Sequence, residues 1–313
     1  MSFKDKTCVV TGGCGFIGSH ISEHLVKDGA NVIIIDDLSS GHKDNISLLS
    51  NSQIKFFEET ILNEDFLVET FQNADYVFHQ AAIPSVPKSF KHPLKTHMVN
   101  VNGTLNVLKS CLATSVKKVV FSSSSSVYGD SPTLPKSEKM NVNPLSPYAA
   151  QKSSCEDYIR IFNEVFGLPA IALRYFNIYG PRQDPNSEYS AVIPLFIKNI
   201  KAGKNVTIFG DGEQSRDFTF VKDAVQANLK AAHSENCDGQ VINVATNHSV
   251  TINSLADKIM KILDTQVEKQ YRSSRKGDVL HSLADINLAK NLIDYNPEYN
   301  IDKGLREIIE GNE

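Results

Sequence analysis

The chain has 313 residues, 41% of them apolar, which is enough for a sizeable core and excludes a disordered chain. Its formal charge of −4, from 32 basic and 36 acidic residues, is too even for broad nucleic-acid binding, and no apolar run approaches the roughly 20 residues that span a bilayer. The polar start Met1-Ser2-Phe3-Lys4-Asp5-Lys6 lacks a signal-peptide core, and Cys8, Cys14, Cys111, Cys155 and Cys237 form no C-x-x-C pair, so a reduced, cytoplasmic setting without disulfides or zinc is expected.

In chain order, Thr7–Thr11 predicts a short strand and Phe16–Asp28 a helix closed by Gly29. Asn31–Asp36, Gln53–Phe57 and Asp75–His79 predict further strands. Pro93–Ser115 carries a long helical pattern, and Lys117–Ser122 and Pro169–Arg174 are again strand-like. Continuous apolar strands alternating with helices predict an α/β fold with a parallel sheet covered on both faces. The pattern loosens after Tyr175 into the loop chemistry of Gly180-Pro181-Arg182-Gln183-Asp184-Pro185. Phe220–Ala232 and Ile252–Leu263 are helical again, with a strand at Gln240–Val244 between them. The expected division is a dinucleotide-binding domain of residues 1–176 and about 217–246, and a smaller mixed α/β domain of 177–216 and about 247–313.

Gly12, Gly15 and Gly18 follow the first strand and open the first helix in a G-x-x-G-x-x-G spacing. The first glycine permits a tight turn, the second lets backbone approach a pyrophosphate, and the third allows close helix packing. The helix N-terminus then offers N–H groups to the phosphates. An ordinary glycine turn would look the same in isolation. Here Asp36 ends the next strand, 18 residues after Gly18, where a carboxylate accepts from ribose hydroxyls and repels a 2′-phosphate. NAD is therefore expected over NADP.

Ser146 and Pro147 suit the cap and first position of a helix that places Tyr148 and Lys152 four apart on one face. A phenol loses its proton near pH 10. A nearby ammonium and a cationic nicotinamide favour the phenolate, so Tyr148 could serve as a base. A tyrosine and a lysine four apart also arise by chance. The serine run Ser122–Ser126, framed by Val119-Val120-Phe121 and Val127-Tyr128-Gly129, adds a hydroxyl at the carboxyl edge of a buried strand. His20 and His24, one turn apart, lack an acidic third ligand and are assigned to packing. No metal site is expected.

These residues resemble the extended short-chain dehydrogenase/reductase superfamily, and within its NAD-dependent epimerase/dehydratase family the sugar-nucleotide 4-epimerases. The resemblance rests on Thr11-Gly12-Gly13-x-Gly15-Phe16-Ile17-Gly18, His79-x-Ala81-Ala82, Asn100-Val101-x-Gly103-Thr104, Ser122-Ser123-Ser124-x-x-Val127-Tyr128-Gly129, Tyr148-x-x-x-Lys152 and Arg174-Tyr175-Phe176-Asn177. It implies a Rossmann-type doubly wound sheet. Ser124 would be the proton-relay hydroxyl, Tyr148 the base and Lys152 its electrostatic partner on the nicotinamide ribose. Cofactor contacts would come from Gly12, Gly15, Phe16, Ile17, Gly18, Asp36, Asp37, Ser39, Ser40, Gly41, Ile61, Gln80, Ala81, Ala82, Asn100, Ser122 and Tyr175. Thr60 stands where the family usually has the aspartate beside the adenine. His79 would orient the loop beneath the cofactor.

The resemblance further implies a sugar-nucleotide site from Ser85, Val86, Asn177, Val192, Ile193, Ile208, Phe209, Arg216, Arg275, Asp278 and Ser282. Guanidinium forks match phosphate oxygens, which suits Arg216 and Arg275 to a diphosphate. Asp278 would take the nucleotide ribose. A small residue at Ser282 would leave room for an N-acetyl group, although a serine can equally cap the helix that follows. Related 4,6-dehydratases place Thr-Asp-Glu where this chain has Ser124-Ser125-Ser126, which argues for epimerisation over water loss. UDP-GlcNAc/UDP-GalNAc, and also UDP-Glc/UDP-Gal, are the expected substrates. The rivals are a uronate epimerase or UDP-glucuronate decarboxylase, and a non-catalytic NAD-sensing protein. A homodimer is implied, with no nucleic-acid or membrane partner.

Overall fold

The computed structural model describes residues 2–47, 49, 53–185, 191–274 and 279–311. Its first half alternates β1 (Thr7–Thr11), α1 (Phe16–Lys27), β2 (Asn31–Ile35), α2 (Asp44–Ser47), β3 (Ile54–Phe57), α3 (Glu64–Thr70) and β4 (Tyr76–His79). There follow α4 (Val86–Lys91), α5 (Pro93–His97), a π-helical turn (Met98–Asn102), α6 (Gly103–Ala113), β5 (Lys118–Ser124), α7 (Pro147–Phe166) and β6 (Ala170–Tyr175). The second half holds β7 (Ile178–Tyr179), α8 (Val192–Lys201), β8 (Val206–Phe209), β9 (Ser215–Asp217), β10 (Thr219–Phe220), α9 (Val221–His233) and β11 (Val241–Val244). It ends with β12 (Ser249–Thr251), α10 (Ile252–Leu263), β13 (Lys269–Arg272), α11 (Asn287–Ile293) and α12 (Ile301–Glu310).

Seven strands form one parallel sheet in the order β11-β6-β5-β4-β1-β2-β3. Successive side chains of a strand point to opposite faces, and both faces here are dry. Val10, Ile34, Phe78 and Val120 pack under α1 and α9. Val9, Ile35, Val77 and Val119 pack under α3, α6 and α7. This double burial explains why the strands are apolar without alternation. The strand order reverses between β1 and β4, which opens a crevice at their carboxyl ends.

A third core joins α8, β8, α10 and α12 through Phe196, Ile200, Ile208, Leu255, Ile259 and Leu305. α11 packs instead against the large sheet through Ala289 and Ile293. The expected helix Pro93–Ser115 is interrupted by the π-helical turn that contains Asn100. No helix among the described residues is long and apolar enough to cross a membrane.

Candidate active site

A cavity of about 700 Å³ occupies the crevice, a volume suited to a cofactor with part of a substrate. Gly12, Gly15, Phe16, Ile17 and Gly18 line one end. Gly12 has a φ of +68°, and a Cβ there would sit 2.6 Å from the Ala81 amide nitrogen. A Cβ on Gly18 would collide with the Gly12 carbonyl, so the third glycine closes the helix onto the turn itself. No side chain caps α1 at Gly15, which leaves its first turn open to an anion.

Asp36, Asp37, Ser39 and Ser40 line the next stretch of wall. Asp36 accepts the N–H groups of Cys14 and Leu38, both at 2.9 Å. Burial lifts its carboxyl above the ordinary value, and these two N–H groups act the other way. Gly41 is outside the wall but essential to it, since a Cβ there would lie 2.9 Å from an Asp36 oxygen. Thr60 and Ile61 line the cavity together with Glu59, which the sequence reading did not single out. An uncapped helix start, a carboxylate at the ribose position and a cradle that tolerates no side chains fit an NAD dinucleotide.

At the other end stands α7. Ser146 Oγ accepts the Ala149 N–H at 3.1 Å and Pro147 occupies the first helical position, as the sequence predicts. The Tyr148 N–H donates to Ser89 Oγ of α4 at 3.1 Å, which fixes where the phenol begins. Tyr148 and Lys152 both line the cavity, with Ser122 and Ser123 of β5. Ser124 ends β5 beside it, and its hydroxyl acts on the Tyr148 phenol from close by. Ser124 Oγ also accepts the Ser126 N–H at 3.2 Å, which holds its rotamer.

Burial pushes the Tyr148 phenol up to about 12, and the nearby Ser124 hydroxyl offsets only part of this. The expected pull of the Lys152 ammonium is not seen. Lys152 Nζ donates to the Ser122 carbonyl at 2.6 Å and sits 4.6 Å from the Phe121 ring centre, against 5.9 Å from that of Tyr148. The protein alone therefore keeps the phenol protonated near neutrality.

Burial also lowers Lys152 from 10.5 to about 8. The unfolded chain thus binds this proton more tightly, and stability rises with pH between those two values. Wild type should gain melting temperature relative to Lys152→Met across that window. Melting curves of the two proteins that stay parallel over it would contradict the buried ammonium.

Gln80, Ala81, Ala82 and Tyr175 complete the cavity wall. Tyr175 Oη accepts from Asn228 Nδ2 of α9 at 2.6 Å, and Gln80 Nε2 donates to Asn228 Oδ1 at 3.2 Å. Asn228 is fully buried and was not anticipated. Within a helical pattern it looks like any polar residue. Asn100 lies behind the wall. It pairs with the backbone of Ile83 through Oδ1 (2.8 Å) and Nδ2 (3.3 Å), and with Gln151 at 2.8 Å. His79 is bound by Thr11 and Thr104 hydroxyls at 2.7 and 3.0 Å, and burial lowers it to about 3. A neutral, doubly tethered imidazole acts as a brace. His20 Nε2 contacts the Pro181 carbonyl at 3.0 Å, a packing role.

Of the expected sugar-nucleotide residues, Ser85 and Val86 line the cavity at the N-terminus of α4. Arg216 on β9 and the segment that holds Ser282 are brought together. Arg216 Nη1 donates to the Leu280 carbonyl at 3.1 Å and the Ser282 N–H to the Ser215 carbonyl at 3.0 Å. Asp217 underlies this by accepting from Thr246 Oγ1 (2.7 Å) and the Ala284 N–H (3.3 Å). Asn177, with φ +40°, donates to the Asp217 carbonyl at 3.0 Å. Val192 and Ile193 open α8, and Ile208 and Phe209 end β8. The side chains of Ile193 and Ile208 are buried in the third core. Arg275 and Asp278 lie outside the described residues.

The pattern of the NAD dependent epimerase/dehydratase family matches residues 8–245. The chain belongs to that family. The structure of a UDP-N-acetylglucosamine 4-epimerase from Methanobrevibacter ruminantium M1, in complex with UDP-N-acetylmuramic acid, is 46% identical and superposes with a TM-score of 0.94 over 98% of both chains. A UDP-glucuronic acid 4-epimerase from Bacillus cereus, in complex with UDP-glucuronic acid and NAD, is 34% identical with a TM-score of 0.90, covering 97% of this chain and 98% of the other. The UDP-glucose 4-epimerase of Mycolicibacterium smegmatis is 36% identical over 96% of this chain and 97% of its own. Within the epimerase/dehydratase family the kinship is with sugar-nucleotide 4-epimerases, and NAD is the cofactor.

Proposed function

We propose that this protein epimerises a UDP-hexose at C4, with UDP-GlcNAc/UDP-GalNAc as its main pair and UDP-Glc/UDP-Gal also accepted. The observation that carries the reading is that Tyr148 and Lys152 line, with Ser124 beside them, one end of a cavity whose far end is a glycine cradle. Bound NAD would supply an acceptor for the C4 hydride and then a donor that returns it. Tyr148, as the phenolate that a cationic nicotinamide beside it would favour, would take the C4 hydroxyl proton with the help of Ser124 and later give it back. Lys152, tied to the Ser122 carbonyl, would hold the nicotinamide ribose. Arg216 and Arg275 hold the diphosphate while the 4-keto sugar turns about its link. No net redox change results.

Incubation with UDP-GlcNAc, UDP-Glc and UDP-GlcA in turn, with products identified by NMR, tests the proposal. Turnover of UDP-GlcA alone would select the uronate reading, which the Bacillus cereus likeness supports, and release of CO2 would select a decarboxylase. Bound NAD with no change in any sugar would select a non-catalytic sensor.

Ser282 supports the N-acetyl preference because it is small and stands beside Arg216. Ser282→Tyr should lower kcat/KM for UDP-GlcNAc by at least about tenfold and leave UDP-Glc within about threefold. Equal losses on both sugars, measured as initial rates, would remove Ser282 from the specificity argument.

We also propose a homodimer that covers Phe90, Leu94 and Met98 on the α4–α5 flank and Val165 and Phe166 at the end of α7. All five are exposed apolar residues, and Leu94 is 82% exposed. We also propose the division into a dinucleotide domain of 1–176 and about 217–246 and a sugar-nucleotide domain of 177–216 and about 247–313; the third core supports a second unit, although Phe218, Phe220 and Val221 also belong to that core.

A further inference from the structure

Glu156 stands one helical turn beyond Lys152 and two beyond Tyr148, so all three share one face of α7. Its side chain is buried, with the residue only 5% exposed. The carboxylate accepts from Ser123 Oγ, and from Arg174 Nε at 2.8 Å and Nη2 at 2.7 Å. Such a fork-to-fork pair is directional and rigid. Arg174 lies 4.6 Å from the Tyr128 ring centre, and Tyr128 Oη donates to Asn243 of β11 at 2.7 Å. The chain of contacts thus runs from the catalytic helix across β5 and β6 to β11. Three consecutive serines of β5 face one helix side: Lys152 holds the Ser122 carbonyl, Glu156 the Ser123 hydroxyl, and Tyr148 stands beside Ser124.

We propose that Glu156 is a positioning residue for proton transfer: seated by Arg174, its carboxylate keeps Lys152 in the ammonium form and sets α7 in register with Ser122–Ser124.

The surroundings of Lys152 leave this task to Glu156. Facing the ammonium are Tyr148 and Cys155 on α7, His79 on β4, and the Phe121 ring and Ser122 carbonyl on β5. Arg174 stands behind the carboxylate. Burial keeps His79 neutral, with its value near 3, and raises the Cys155 thiol and Tyr148 phenol above their ordinary values. Cys155 lies first among the groups that raise Lys152 and Glu156 second, but burial holds the thiol neutral, which leaves Glu156 as the anionic side chain among the described residues that acts on Lys152. Lys152 itself is close enough to neutrality, at about 8, for loss of one buried anion to discharge it.

The inference rests on the proposed function, in which Tyr148 handles the proton and the Lys152 ammonium holds the nicotinamide ribose; Tyr148→Phe tests that reading independently. Its own test is the pH dependence of kcat/KM in holoenzyme for wild type, Glu156→Gln and Glu156→Leu/Arg174→Met. The double variant replaces the buried pair with apolar volume and serves if the single one does not fold. Glu156→Gln should move the alkaline limb down by about one pH unit or more, lower kcat near pH 8, and leave the dissociation constant for the sugar nucleotide unchanged. The double variant should move the limb in the same direction by less, because the repelling Arg174 charge leaves as well. An alkaline limb that stays at its wild-type position, or rises, in a folded variant would reduce Glu156 to a packing role and overturn the proposal.

Discussion

Tyr148→Phe should lower turnover by about three to four orders of magnitude while sugar-nucleotide binding stays within about threefold of wild type. The substitution removes one oxygen from the phenol. The ring keeps its place against α4, since the Tyr148 N–H to Ser89 bond involves backbone. Ser124 loses its partner but stays held by the Ser126 N–H. The proton of the C4 hydroxyl is then left without an acceptor in reach. NMR turnover and calorimetric binding on the same preparation separate the two effects. Turnover within about tenfold of wild type would mean that another group takes the proton.

Gly18→Ala should give a protein that purifies without NAD, with its affinity reduced at least about 100-fold and its stability reduced by about 1–3 kcal/mol. The new methyl group would need the space of the Gly12 carbonyl. That oxygen is backbone in a turn pinned by the Gly12 N–H to the Ile35 carbonyl at 2.7 Å, so it cannot swing aside as a flexible side chain would. The turn must move, and the cradle with it. Cofactor content by chromatography and a thermal melt check both parts. Full NAD occupancy in the variant would show that the loop tolerates what its geometry forbids.

The central sheet was legible because double burial writes itself as unbroken apolar runs such as Val32-Ile33-Ile34-Ile35. The α7 start was legible because its cap and its proline have local causes. Partnerships across the fold were not. Glu156 and Arg174 are 18 residues apart on different elements, and no local pattern pairs them. Asn228 meets Tyr175 from 53 residues away. The π-helical turn escaped for another reason: apolar periodicity over Pro93–Ser115 averages across one extra residue. The electrostatics of Tyr148 escaped because spacing on a helix says nothing of where an ammonium points. Here it points at a strand carbonyl.

That extra residue has a geometric outcome. Each α-helical position turns the chain by about 100°, so the rod before Met98 and the rod after Asn102 are out of phase. Downstream, Val107, Leu108 and Cys111 dive under the sheet, while Leu94 upstream and Met98 at the start of the turn stand in solvent. One stretch of chain addresses two surfaces, and the phase slip keeps them apart. Shortening it by one position would swing the outward stripe sideways without altering a single apolar side chain. Chain length at this point, more than composition, governs how this flank of the molecule presents itself.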